Sequence, residues 1–181
     1  MKTKSNPGAE TPDLKLLPNT MANDLIRTLV ENYRSNQLMS VKEKLGIEDA
    51  HSIHFDLTTL KKFISDIEAL SITNNPDIHA EDLGIRFYYA AYPKAENWDL
   101  MVHTPVQKEY AGRHTLVMVP TIKRKDDNGE IGNYDFNPLA INGNLGKRAM
   151  ALGKNSDMES EIICQNHGAL IPPDTKKTEF F

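Results

Sequence analysis

Gly84-Ile85-Arg86-Phe87-Tyr88-Tyr89-Ala90-Ala91-Tyr92-Pro93 is the stretch whose reading decides the fold. As a strand it turns Ile85, Phe87, Tyr89 and Ala91 to one side and Arg86, Tyr88, Ala90 and Tyr92 to the other. Core packing alone accounts for the first face. The second carries an arginine and two tyrosines, too amphipathic for an ordinary solvated face. The partner is His114-Thr115-Leu116-Val117-Met118-Val119-Pro120-Thr121, in a strand predicted over residues 114–123. It is apolar on both faces through its middle, which predicts a central strand covered on both sides, or by helices on one side and a loop on the other. Pro120 has no amide hydrogen, so a bulge or the end of pairing on one side is expected there. Asn128-Gly129 is a hairpin-turn signal, because the tight turn needs positive φ at both central residues. It joins residues 115–125 to residues 130–136 and predicts an antiparallel meander with the opening strand.

Two helices complete the frame. The first is expected to begin at Asn19 or Thr20, whose side chains can cap free amides. Met21, Ala22, Leu25, Ile26, Leu29, Val30 and Tyr33 then recur at helical spacing and predict one buried stripe. Asp56 caps a second helix with Leu57, Leu60, Phe63, Ile64, Ile67 and Leu70 on one face. It should stop near Asn74-Asn75, because Pro76 disfavours a helical Asn75. The fold class is α+β: an antiparallel sheet of about three to five strands, with both amphipathic helices packed on one face. Between the helices, residues 41–46 suggest a turn or two of helix closed by Gly46, and Ile53 and Phe55 a short strand. Residues 94–112 form a long excursion holding Trp98, His103 and Tyr110. Residues 137–155 read as loop, with a short helix possible over 145–152. Extended segments flank Gln165-Asn166-His167-Gly168. One domain is expected over residues 20–173, between a flexible tail at 1–19 and another at 174–181.

The chain has 181 residues, 39% of them hydrophobic, and a net charge of −4. Its mean hydropathy is −0.50. Such mild acidity argues against a nucleic-acid binder, which needs a concentrated basic face. No stretch approaches a membrane span and no signal peptide opens the chain, so a cytoplasmic protein is expected. Cys164 is the single cysteine, which excludes an internal disulfide.

Gly84-Ile85-Arg86-Phe87-Tyr88, Val119-Pro120-Thr121, and Asn166-His167-Gly168 with Pro172-Pro173 resemble a widespread group of small uncharacterised proteins of Bacteroidetes-type bacteria. In that group a GIR-aromatic-Y strand precedes a VPT strand, and an N-x-G…PP segment follows. Ser52 to Phe55, ahead of an amphipathic helix, also fits, so the resemblance spans residues 52–173. A cysteine often follows the paired prolines there, whereas this chain has Asp174, which weakens a thiol-based role. The resemblance implies the fold and no activity.

No reaction is written in the sequence. Gly143-Asn144-Leu145-Gly146-Lys147-Arg148 lacks the glycine spacing and the hydroxyl residue of a phosphate loop. Asp126-Asp127-Asn128-Gly129 puts Arg124 where a calcium loop needs its first acid. His51 with His54, and Cys164 with His167, are each half a zinc site. Cys164 with His167 or His114 could form a dyad, though a lone cysteine beside Ile163 reads more readily as a small buried residue.

The best ligand-binding set is Arg86, Tyr88 and Tyr92, with His114, Asn166 and His167 completing a pocket. Arg86 offers a fork for a carboxylate or phosphate. The plainer reading, Arg86 paired with Asp56 or Glu81, carries more weight. Three functions are expected in order: a non-enzymatic module binding a partner protein or its own copy; a binder of a small anionic ligand; and a metal-dependent or thiol enzyme using His51, His54, Cys164 and His167. No cofactor is implied.

Overall fold

In the computed structural model, which describes residues 20–139, 162–174, 179 and 181, the fold is α+β with every strand pair antiparallel. Helix α1 (Asn23–Tyr33) runs through a π-helical segment, Arg34–Leu38, into α2 (Met39–Leu45). Then come β1 (Ser52–His54), α3 (Leu57–Asn74), β2 (Leu83–Ala91), β3 (His114–Lys125), β4 (Ile131–Asp135) and β5 (Ala169–Ile171). The strands form two sheets, β2-β3-β4 and β1-β5. Paired backbone hydrogen bonds between Met118 and Gln165 join the segment before β5 to β3.

The meander follows from the turn at Gly129, whose φ of 83° suits glycine. It sets Thr121 opposite Asp135, while β2 pairs Arg86 with Val119 and Phe87 with Met118. Pro120 marks where β3 changes partners. Its carbonyl accepts from Phe136 N–H, the last bond on the β4 side, and two residues earlier Met118 bonds Gln165 instead. A proline can stand there because no donor is needed at the switch.

Asp56 caps α3 by accepting from Thr59 N–H at 2.8 Å. The Thr59 hydroxyl and amide hold its carboxyl below the ordinary carboxylate value. The helix ends where Asn75 becomes extended ahead of Pro76. Phe63 and Ile67 bury against Met118, with Phe55, Leu60, Leu83, Ile85 and Ile163 around them. A second cluster gathers Ala50, Tyr92 and Leu170 under Ile53, Trp98, Met101, Val106 and Tyr110. The excursion after β2 thus folds over Tyr92.

Three expectations change. The face read as core is core only at Leu83 and Ile85: Phe87 is 52% exposed and Tyr89 93% exposed, because α3 covers one half of that face. Helix α1 starts at Asn23, with no side-chain cap. Its predicted stripe is not buried: Met21, Leu25 and Leu29 are each about half exposed, and only Ile26 and Val30 are partly covered. The helical turns suggested over residues 41–46 do close at Gly46, with φ of 66°, but the helix starts earlier, at Met39, and runs on from α1 through the π-helical segment. The proposed helix at 145–152 and the tail at 1–19 lie outside the described residues. No helix among the described residues is long and apolar enough to cross a membrane.

The burial pattern sets a contrast. Ile67→Ala should cost about 2–5 kcal/mol, whereas Leu25→Ala should stay within about 0.5 kcal/mol. Urea midpoints at unchanged slope measure both, and comparable losses would contradict the packing.

Candidate functional site

The residues expected to share one pocket separate into three places. Arg86 and Tyr88 lie on the β2 face opposite α3, and both engage Asp135 of β4. Arg86 Nη1 and the Tyr88 hydroxyl donate to its two carboxylate oxygens. Arg86 Nη2 donates to Asn133 O at 2.8 Å. The Tyr88 hydroxyl first, and then the Asp135 charge, hold the guanidinium above its ordinary value. The arginine is paired, as the plainer reading held, but with Asp135 rather than Asp56 or Glu81. Tyr92 is buried, and its hydroxyl donates to Asn166 O at 3.1 Å. Its ring meets those of Tyr110 and Trp98 at centroid distances of 5.8 and 6.3 Å.

His114 belongs to a different junction. The Asp49 carboxylate is buried and accepts from His114 N–H at 2.8 Å, from Ala50 N–H at 2.9 Å, and from His114 Nδ1. The imidazole itself is 44% exposed. Arg113 donates to Glu48 O, and His51 N–H to Ile171 O at 2.8 Å. Residues 48–51 are thereby tied on one side to the start of β3 and on the other to β5. The end of α1 reaches the same place, for burial first, and then the negative charge of Asp49, pushes the Tyr33 phenol up.

That junction fixes the geometry of the next two residues, His51 and Ser52. With Arg34, at the start of the π-helical segment, they converge on the carboxylate of Glu179. The Ser52 hydroxyl donates to Oε1. Arg34 Nη2 donates to Oε2 at 3.2 Å. The buried His51 Nδ1 also lies 3.2 Å from Oε2, too far off axis for a hydrogen bond, so it contributes a charge contact when protonated. Both oxygens of one carboxylate are thus engaged by three chemically different groups from two elements. Arg34 has a second acid, Glu31, at 3.6 Å. Val30 and Phe181 complete the lining of an open cavity of about 270 Å³.

Sequence reasoning missed Arg34 and Ser52 and treated Glu179 as part of a tail. Arg34 looked like the polar side of a helix, and Glu179 is 127 residues from Ser52. A π-helical bulge, frequent at functional sites, cannot be read from residue spacing. The thiol and metal candidates stay apart. Cys164 is exposed rather than buried, and it makes no hydrogen bond to His114 or His167. Among the described residues no three His, Cys, Asp or Glu side chains converge as a metal site would require.

Asp49→Ala should destabilise by about 2–4 kcal/mol, because two backbone amides lose their acceptor inside the protein. His114→Ala should cost less, since its backbone N–H still reaches Asp49; equal losses in chemical denaturation would count against the assignment. Burial pushes the Tyr92 phenol up. The folded chain therefore favours the neutral phenol, so this stabilisation is complete below pH about 10 and is lost as pH rises through the higher folded value. Tyr92→Phe should flatten the alkaline fall in stability, as denaturant midpoints between pH about 9 and 11 would record. No protein-family model, no curated protein and no solved structure matches this chain.

Proposed function

We propose that the chain is a non-enzymatic binding module for carboxylate-bearing ligands, with Arg34, His51 and Ser52 as the recognition set. One observation carries the reading: two hydrogen-bond donors, Arg34 and Ser52, and the imidazole of His51 meet on the two oxygens of a single carboxylate. A guanidinium supplies charge and directed N–H groups, a hydroxyl supplies a short neutral bond, and an imidazole adds charge on protonation. The buried Nδ1 of His51 has no hydrogen-bond partner among the described residues, which leaves recognition capacity that Glu179 does not use. The Arg86 face supports such a role less well, because Asp135 and Asn133 already occupy its fork.

Glu179 competes for the site from within the chain, so the test is made on full-length Glu179→Gln. Glutarate at constant ionic strength should raise its Tm and bind in calorimetry. Wild type should bind about tenfold more weakly or worse, as expected of a tethered competitor at millimolar effective concentration. Adding Arg34→Ala should abolish binding. A Glu179→Gln chain that gives no heat and no shift with glutarate would sink the proposal.

A further inference from the structure

Taking the pocket as a carboxylate site, we infer that its ligand is a short peptide segment with an acidic residue and an aromatic residue two positions on, for which Glu179 and Phe181 are the chain's own stand-ins. Both residues line the same cavity, which Val30 also lines, and the acid sits on Arg34 and Ser52 with His51 beside it. A spacing of two puts side chains on one side of an extended segment, so one short stretch can fill both positions. The lining combines the polar Arg34, His51 and Ser52 with the apolar Val30, a mixture that suits a peptide better than a simple dicarboxylate. With Glu179 and Phe181 in its wall its volume is about 270 Å³, below the range typical of cofactor and drug-sized sites, and displacing those two side chains would enlarge it to take a short segment in their place.

The surrounding backbone agrees. Ser52 opens β1, and among the described residues β1 has β5 on one edge and no strand on the other. An unpaired edge beside a side-chain pocket is the arrangement by which sheets take up extended peptides: backbone bonds give affinity and the pocket selects side chains. The tail is then a built-in competitor. Asp174 N–H is bonded to Leu170 O, so the segment leading to Glu179 starts from a fixed point close to β1. An outside segment has to displace Glu179 to enter.

The probe is N-acetyl-Thr-Glu-Phe-Phe-amide, the sequence of residues 178–181 without terminal charges. Titrated into full-length Glu179→Gln, it should bind about tenfold tighter than glutarate, the gain expected from burying a phenyl ring. Gln in place of its glutamate should abolish binding, and Ala in place of its second phenylalanine should remove most of the gain. Wild type, whose folding is not in question, offers a second readout: saturating peptide should speed tryptic cleavage at Lys176 and Lys177 by freeing the tail. If glutarate binds and the peptide is no tighter, the peptide assignment falls while the carboxylate pocket stands. If neither binds, both fall. Binding that tolerates Ala at the second phenylalanine would overturn the acid–aromatic spacing.

Discussion

The buried carboxylate of Asp49 is the constraint on which the functional end of the molecule depends. An ionised acid out of water is costly unless donors surround it. Here the donors are the amides of Ala50 and His114 and the His114 ring. They come from the chain entering β1 and from the first residue of β3, so satisfying the acid pins these two places together. The consequences spread outward. Ala50 joins the Tyr92–Leu170 cluster, His51 bonds β5 through its amide, and Ser52 starts β1 with its hydroxyl facing the pocket. Tyr33, at the end of α1, lies within reach of the Asp49 charge, and the next residue, Arg34, reaches Glu179.

Around that pin the architecture divides its work at β3. Its C-terminal half pairs with β4 and its N-terminal half meets the Gln165 segment, with Pro120 at the change of partner. One face receives α3 through Phe63 and Ile67 on Met118; the other sets Val117 and Val119 opposite Tyr88 and Arg86. A strand that serves two partners and two faces must be apolar on both, and Leu116 to Val119 are.

Periodicity made α3 legible from the Asp56 cap to the halt before Pro76, and it placed Phe63 and Ile67 in the core, although Leu57 and Ile64 of the same predicted face are exposed and Ser71 is buried. The Asn128-Gly129 turn was legible for the same local reason, and with it the meander. Alternation in β2 identified its faces correctly, but it carried no information on how far α3 would extend over them, so Phe87 and Tyr89 were assigned to a core they do not enter. The stripe on α1 shows the same limit: spacing reveals which residues share a face, not whether anything covers it. Asp135 was within reach of inference, because the hairpin turn fixes it opposite Thr121 on the face that also holds Arg86. Asp49 and Glu179 were not. Their partners are 65 and 127 residues away, and no local pattern marks an acid that will be bonded across such a separation.

The two arginines show why one carboxylate contact is structural and the other replaceable. Arg86 meets Asp135 across a meander whose hydrogen-bond ladders fix both residues, and Tyr88 shares the acid. Breaking that contact requires the strands to part, so no ligand gains access by competing with Asp135 alone. Arg34 meets Glu179 five residues beyond Asp174, whose N–H is bonded to Leu170 O. Closing so short a loop costs little, which favours the contact. Another carboxylate offering the same oxygens, with more apolar surface behind them, can replace it without disturbing the sheets. An anion site built to exchange its occupant needs this combination: donors fixed by the fold, through Asp49 and the strand pairing, and an acceptor that lies outside the strand ladders of the described residues.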